Sequence, residues 1–473
     1  MAKKFQPDIW EKRFLQFWKQ VKTSSLFAFL EKKFHKNHLT KISLDTLPLL
    51  VASVLVGLMA VAYERLFEIF ESISLKIVDF SPYALFIVSP LCFLGSWLMV
   101  TRLAPTAGGS GIPQLMAAAE LAETPKSKWV DKLLSLRIII VKILSSLLML
   151  TGGGAIGREG PTLQISGSVF QLIHRFASGI SFNRVSQRVM IITGGASGLA
   201  AAFNTPLGGI VYVVEELTKT HIGKFRTAIF TAVIIAGMTA QQFLGSYLYL
   251  GFPKIATLPF NLIFWAILIP LFSGFLGSWF TRLVLALAEF RKRFNSPVSK
   301  IVFVLSLGLL FAFLVYFTGH QSMGTGKPLI NKILFTNPET LPWFTFPGRF
   351  LGSLISFGAG GAGGIFATSL SSGAAFGALV AKIADIPHQH ENLLILLSMI
   401  GFLTGVTRSP FTSAILVLEM TDRHSAIFYF LMAGLLSNLS AGLVLRKSFY
   451  EIQKQKIILG FETGDHKKVN TKE

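Results

Sequence analysis

The sequence GGGAIGREGPTLQISG at residues 152–167 interrupts a long apolar region with three consecutive glycines and one ionic pair. An apolar run ends near Leu150 before this stretch, and a second run follows from Pro161. Proline is favourable just inside a helix start, because its missing N–H would have no partner there. We therefore expect one helix to end before Gly157 and another to begin at about Glu159.

Such a break constrains the fold strongly when it lies inside a membrane. Backbone N–H groups at membrane depth cannot be hydrated, so protein groups or a ligand must satisfy them. Helix N-termini present N–H groups and carry partial positive charge, which makes an anion the natural ligand. The break therefore predicts an anion site, and the ionisable Glu159 beside it is expected to be functional.

The composition indicates that the break does lie in a membrane protein. Hydrophobic residues make up 52% of the 473 residues, charged residues make up only 14%, and the mean hydropathy is +0.58. Soluble domains carry about 25% charged residues. The many glycines also suit close helix–helix packing in lipid. The sequence therefore predicts an all-α polytopic membrane protein.

A basic segment precedes the first long apolar run, which begins near Leu47. We expect residues 1–44 to be cytoplasmic, because an excess of lysine and arginine next to a first span favours that side. Helical spacing of apolar residues from Trp10 to Val21 predicts an amphipathic helix, either on the membrane surface or packed against the inner face of the protein. Nucleic acid is not an expected partner, since the remaining chain is embedded in the membrane.

The lengths of the apolar segments are typical of a transporter. Residues 258–289 would form a helix about 48 Å long, well beyond the roughly 30 Å of a bilayer core. Several other segments are too short to span. Over-long segments mixed with short ones interrupted by glycine and proline indicate half-helices that end near the midplane.

An internal repeat divides the predicted membrane domain, residues 45–455, into halves of about 45–250 and 258–455. Each half has a glycine-rich motif, then a proline 47 or 49 residues later, then a glutamate nine residues beyond that proline. A repeat of this kind predicts a site between the halves. The matching positions are Gly157, Pro206 and Glu215 in the first half and Gly363, Pro410 and Glu419 in the second. Residues 456–473 are expected to form a short cytoplasmic tail.

Five segments, in this order, resemble the CLC family of chloride channels and proton-coupled chloride exchangers. The resemblance extends from about residue 45 to 455. It implies an inverted-repeat bundle of tilted and broken helices, with half-helix N-termini meeting at a midplane anion site. The segments are GGSGIPQ (108–114), GREGP (157–161), FNTPLGGIVYVVEEL (203–217), GGIFATSL (363–370) and Tyr450 in RKSFYEI.

The resemblance also implies roles for individual residues. Ser110 and Tyr450 are similar to the residues whose hydroxyls donate to a central chloride. Ile365 and Phe366 are similar to the pair whose backbone N–H groups face that anion. Glu159 is similar to the external gating glutamate.

The sequence leaves the roles of four further residues open. Glu216 is similar to the internal proton-accepting glutamate of the exchangers. Its neighbour Glu215 is either a second site residue or a cap near a helix end. Lys142 either extends to the interface or lends positive potential to the pore, and we favour the second. Arg158, next to the gating position, is a possible secondary site residue.

Other patterns have simpler interpretations. Glu64, Arg65, Glu68 and Glu71 follow helical spacing beyond a span and predict a solvated helix face. The GxGxxG pattern at 358–363 lacks a βαβ context, so it predicts close helix packing rather than dinucleotide binding. The single cysteine, Cys92, excludes an intrachain disulfide, and we expect no metal or cofactor.

We interpret the chain as a chloride/proton antiporter of the inner cell membrane, with both termini cytoplasmic. Its expected partners are chloride, protons, the lipid bilayer and a second copy in a homodimer. A passive voltage- or pH-gated chloride channel is the alternative, although channels of this family generally replace the inner glutamate. A remote alternative is an intramembrane serine protease at Gly108–Gly111, which would need a histidine on another helix to activate Ser110.

Overall fold

The computed structural model describes residues 38–177, 185–217, 226–245, 249–336 and 341–469. Throughout these ranges the regular structure is helical, apart from two isolated backbone bridges, and the predicted all-α class is confirmed. The amphipathic helix predicted between Trp10 and Val21 lies outside the described residues.

The helices of the first half range in length from the 43 residues of α1 to the four residues of α4. They are α1 (His38–Phe80), α2 (Leu85–Leu103), α3 (Ile112–Leu121), α4 (Val130–Leu133), α5 (Leu136–Thr151), α6 (Glu159–Ala177), α7 (Gln187–Phe203), α8 (Pro206–Tyr212) and α9 (Arg226–Leu244). A single π-helical turn, Val213–Leu217, continues α8.

The second half begins with the longest apolar helix predicted from the sequence. Its helices are α10 (Phe260–Lys292), α11 (Pro297–Thr318), α12 (Lys327–Phe335), α13 (Thr345–Ala359), α14 (Phe366–Ile383), α15 (His388–Thr407), α16 (Pro410–Thr421), α17 (Ile427–Ala441) and α18 (Phe449–Val469). Helix α10 has 33 residues, as the over-long segment required.

Nine helical stretches in the described ranges are long and apolar enough to cross a membrane, which agrees with a multi-pass membrane protein. Two predicted domain limits fall inside helices. Helix α1 begins at His38, before the predicted start of the membrane domain, and α18 continues past residue 456.

The predicted break around GREGP is confirmed, because α5 ends at Thr151 and α6 begins at Glu159. Helix α3 starts in the same way, directly after Gly111, whose φ of 102° favours glycine. Helix α14 starts at Phe366, within GGIFA. Three helices therefore begin directly after or within glycine-containing motifs.

Burial separates central helices from peripheral ones. Helix α15 is buried along almost its whole length, whereas α10 exposes large apolar side chains such as Phe264 and Phe272. Exposed apolar side chains are costly in water but suit a lipid environment. The central helices therefore hold the glycine-rich loops inside the molecule, and the peripheral helices surround them.

Candidate functional site

The GSGIP loop of the first half pairs with the glycine-rich loop of the second half. The N–H of Gly109 donates to the carbonyl oxygen of Gly361 at 2.9 Å, and the N–H of Gly363 donates to the carbonyl oxygen of Gly109 at 3.1 Å. The residues of the GxGxxG pattern therefore end α13 and hold this loop, as the packing interpretation requires.

The GREGP loop pairs with the same segment one residue further on. Gly157 and Gly364 exchange both backbone hydrogen bonds, at 2.8 and 2.6 Å. A Cβ atom on Gly160 would lie 2.7 Å from the carbonyl oxygen of Ser110, so only glycine allows this close approach. The starts of α3, α6 and α14 therefore meet at one place.

Two buried hydroxyls lie at this meeting point. Those of Ser110 and Tyr450 are close to each other, yet neither makes a hydrogen bond of normal geometry to any described residue. The ring of Tyr450 stacks on that of Phe366, with centroids 6.0 Å apart and planes at 17°. Buried hydroxyls normally have partners, so two such groups side by side indicate a ligand that accepts hydrogen bonds.

The start of α14 adds backbone donors beside these hydroxyls. The first N–H groups of a helix have no partner within the helix. Ile365 and Phe366 supply such groups at α14, and both residues are buried. The structure therefore brings together the four residues that the resemblance implied for chloride.

Glu159, the first residue of α6, is completely buried next to the start of α14. Its carboxylate faces the backbone N–H of Ala367, and the Tyr249 hydroxyl donates to Oε1 at 3.5 Å. The other oxygen, Oε2, has no hydrogen-bond partner in the described part of the chain. The carboxylate therefore lies at the same helix start that presents the N–H groups of Ile365 and Phe366.

Beyond Glu159 lies a cluster of charged and aromatic groups that the sequence did not predict. Arg158 forms a buried ion pair with Glu64, with Nη2 and Oε1 2.6 Å apart, and its Nε lies 3.9 Å from Oε1 of Glu159. The Tyr249 ring lies 4.2 Å from the Lys327 ammonium and 5.9 Å from the Arg158 guanidinium, distances of cation–π contacts.

The expectation of a solvated face on α1 is therefore wrong for two of its four residues. Glu64 is only 7% exposed, and Glu71 accepts hydrogen bonds from the backbone N–H and hydroxyl of Thr325. Arg65 and Glu68 do form an exposed pair. Helical spacing shows which residues share a face but not which of them another segment covers.

Lys142 lies behind the Ser110 loop. Its side chain is fully buried, and Nζ donates to the carbonyl oxygens of Ala107 and Gly109, both at 2.8 Å. This geometry excludes extension of the side chain to the membrane interface. Through these two hydrogen bonds, the side-chain nitrogen instead holds the loop that carries Ser110.

Glu215 and Glu216 lie in the π-helical turn and reach the start of α16 in the other half. Glu215 accepts from the backbone N–H groups of Phe411 and Thr412, at 3.1 and 2.6 Å, and from the Thr412 hydroxyl at 2.7 Å. Glu215 therefore caps α16, which is the structural one of its two predicted roles. Glu216 accepts a hydrogen bond from the Ser409 hydroxyl at 2.9 Å.

A cavity of about 70 Å³ lies beside Glu216, large enough for water. Its charged lining residues are Glu120, Arg188, Lys454 and Glu216. Burial alone would lower the pKa of Lys454, but hydrogen bonds to Glu120 and Glu451 outweigh it and raise that pKa. Lys454 therefore remains positive at the cavity wall.

The proposed serine protease site lacks support in the geometry. The Ser110 hydroxyl lies next to Tyr450 and makes no hydrogen bond to a histidine in the described part of the chain. Histidines 320, 388 and 424 pair with carboxylates elsewhere in the structure.

Sequence reasoning missed Tyr249, Lys327 and Ser409. Tyr249 lies in the connection between α9 and α10, and Lys327 is the first residue of the short helix α12, so neither belongs to a recognised motif. Ser409 did carry a signal, because it directly precedes Pro410, where a serine is a common helix cap.

Known sequences resemble this chain over most of its length. The sequence profile of the voltage-gated chloride channel family matches residues 92–442. An H⁺/Cl⁻ exchange transporter ClcA of Citrobacter koseri is 30% identical over 420 residues, which cover 85% of this chain and 86% of the relative. A protein of the same name from Salmonella agona is 29% identical over 423 residues, with the same coverage.

Solved structures share the fold. A slow cyanobacterial Cl⁻/H⁺ antiporter superposes with a TM-score of 0.74 at 24% identity, over 87% of this chain and 98% of its own. A eukaryotic CLC transporter gives 0.71 at 21% identity, over 86% and 74%. A CLC-type fluoride/proton antiporter gives 0.70 at 19% identity, over 89% and 99%.

Proposed function

The chain belongs to the CLC family, and we propose that it exchanges chloride for protons across a cell membrane. One observation carries this proposal: the unsatisfied hydroxyls of Ser110 and Tyr450 and the start of α14 meet beside the buried carboxylate of Glu159. An anion site and an ionisable acid at the same place couple the two ions. The relatives named as H⁺/Cl⁻ exchange transporters support the same function.

Chloride would accept hydrogen bonds from the Ser110 and Tyr450 hydroxyls and from the N–H groups of Ile365 and Phe366. These donors are neutral, and the side-chain nitrogen of Lys142 behind the Ser110 loop already donates to two carbonyl oxygens. A site of partial charges binds an anion while still allowing its release, which transport requires.

Glu159 would couple the ions by competition. Its ionised carboxylate is stabilised by the donors at the start of α14, so it occupies the position that chloride would take. Protonation removes that charge, and the side chain then leaves the donors to chloride. A proton and a chloride ion therefore displace each other at this position, with Arg158 held by Glu64 beside it.

Glu216 would supply protons from the other side. It lies next to the water-sized cavity, and its carboxylate is close enough to the buried Tyr212 and Tyr450 to interact with them electrostatically. The presence of this acid favours exchange over the passive channel, because a channel has no need of a second proton site.

The decisive experiment uses purified protein in sealed vesicles with a chloride gradient and no initial pH difference. We expect chloride flow to drive protons in the opposite direction, so that a pH difference builds up. A chloride flux that moves no protons against their gradient would identify a passive channel and contradict exchange.

We also propose a homodimer with both termini on the cytoplasmic side. Helices α16 and α17 carry exposed apolar side chains at Phe411, Leu435 and Leu439, which a second copy or lipid would cover. The basic first segment supports the orientation. Cross-linking at low protein-to-lipid ratio tests the dimer, and labelling of a cysteine introduced near the N-terminus tests the orientation.

A further inference from the structure

Ser409 joins the second half of the molecule to Glu216 of the first half. Its hydroxyl donates to Oε2 of Glu216 at 2.9 Å, and the residue is only 1% exposed. The two residues are 193 positions apart in sequence, so this contact exists only in the folded protein.

The Ser409 hydroxyl is available to Glu216 because another residue performs its usual task. A serine before a helix normally accepts a hydrogen bond from the second or third N–H of that helix. Here the Glu215 carboxylate accepts from the N–H groups of Phe411 and Thr412, and Ser409 makes no side-chain cap of its own. Two adjacent acids thus contact the start of α16: Glu215 accepts from its backbone N–H groups, and Glu216 accepts from the Ser409 hydroxyl.

The hydroxyl also has a second acceptor, the carbonyl oxygen of Thr407, at 3.3 Å. A hydroxyl has one hydrogen to donate and lone pairs with which to accept. When Glu216 is ionised, the hydroxyl donates to its carboxylate. When Glu216 is protonated, the hydroxyl rotates to donate to Thr407 and accepts the hydrogen of the Glu216 acid group.

The other groups near Glu216 line a cavity large enough for water and carry both positive and negative charges. The cavity beside it is lined by Glu120 of α3, Arg188 of α7 and Lys454 of α18. On the protein side it faces Glu215 in the same turn and the phenols of Tyr212 and Tyr450. Charged groups of both signs therefore surround the Glu216 carboxylate. Removal of the Ser409 hydroxyl changes one hydrogen bond and leaves these charges in place.

We propose that Ser409 is a positioning residue for proton transfer, holding the Glu216 carboxyl in one place in both of its protonation states. This inference rests on the proposed role of Glu216. The proton enters from the cavity and adds to the carboxylate, and the serine hydrogen only changes its acceptor, so no bond of Ser409 is broken.

The test compares the wild type with Ser409→Ala, Ser409→Thr and Ser413→Ala in vesicles. Ser413 lies on the same buried turn and donates to the Ser409 carbonyl oxygen, so its alanine variant is a matched control that leaves the Ser409 hydroxyl in place. The measurements are protons moved per chloride and the pH at which proton flux is half-maximal.

We expect Ser409→Ala to retain chloride flux and lose severalfold in protons per chloride. The half-maximal pH should rise by about one unit, since one charge-assisted hydrogen bond that favours the ionised form is lost. Ser409→Thr, which keeps the hydroxyl, and Ser413→Ala should both behave as the wild type. If the alanine variant does not fold, Ser409→Cys, with a weaker donor, should give a smaller shift in the same direction.

Glu216→Gln, measured alongside, separates the two proposals. Full coupling in that variant would contradict the role of Glu216 itself. Loss of coupling there, with unchanged stoichiometry and pH profile in Ser409→Ala, would overturn only the role of Ser409. Equal losses in Ser409→Ala and Ser413→Ala, or failure of Ser409→Thr to restore coupling, would also overturn it, because they indicate altered packing of α16.

Discussion

The two halves of this molecule share matching helix starts but differ in the ionisable side chains that they carry. Glu215 of the first half caps α16 of the second, and Glu419 of the second half caps α8 of the first. Glu419 accepts from the N–H groups of Leu207 and Gly208 at 3.0 and 2.5 Å. Each half thus supplies a carboxylate to the matching helix start of the other.

The residues next to these symmetric positions differ. Glu216 follows Glu215, whereas the fully buried Met420 follows Glu419. At the glycine-rich motifs, Glu159 stands two residues after Gly157, and Ile365 stands two residues after Gly363. The positions kept in both halves therefore maintain the helix starts, and the positions that differ carry the ionisable groups to which we assign proton transfer.

The largest effect is expected when the carboxylate of Glu159, which has no counterpart in the second glycine-rich motif, is replaced by an amide. Glu159→Gln should abolish proton transport and leave chloride flux nearly independent of pH, because no group remains there to titrate. Vesicle flux measured between acidic and neutral pH tests this. Glu68→Gln is a suitable control, since Glu68 is an exposed acid on α1. Continued proton pumping by Glu159→Gln would exclude this residue as the gate.

The second-largest effect is expected when Glu216 is replaced by methionine, the residue at the matching position of the second half. Glu216→Met should reduce proton flux at least about tenfold and retain chloride flux, because the fold tolerates methionine at the matching position 420. Simultaneous recordings of chloride and pH give the ratio. An unchanged ratio would mean that another group supplies the protons.

The symmetric pair should affect stability instead of coupling. Glu215→Ala and Glu419→Ala each remove a carboxylate that accepts from backbone N–H groups, and each should lower the free energy of unfolding by about 2 kcal/mol. Thermal unfolding in detergent measures this. Glu462→Ala, which removes only an exposed pair with Lys126, should change stability little. A much larger loss for one glutamate than the other would break the proposed equivalence of the halves.

The smallest effect is expected at the cluster of charged and aromatic groups beside Glu159, which has no counterpart in the repeat. Tyr249→Phe removes a long hydrogen bond of 3.5 Å to Glu159 but keeps the ring beside Lys327. The half-maximal pH of chloride flux should shift by less than about one unit. Tyr316→Phe is the control, because Tyr316 lies at the exposed surface. Complete loss of transport would show that the hydroxyl does more than assist Glu159.

The fold class and the positions of the main helix breaks follow from local patterns in the sequence. Composition and segment lengths specify a helical membrane protein, and the glycines and proline of GREGP specify where α5 ends and α6 begins. These properties are local, since helix starts, helix breaks and apolar runs depend on residues within a few turns of one another. The repeat spacing also located Glu215 and Glu419 as a matched pair.

Which of these groups meet depends on how distant segments pack together. Glu64 looked like part of a solvated face and is instead buried against Arg158, and Glu215 caps a helix that begins almost two hundred residues later. Ser409 reaches Glu216 across the same interval. Periodicity reports on one face of one helix, whereas a buried charge is stabilised by whichever distant group packs against it, and no local pattern encodes that partner.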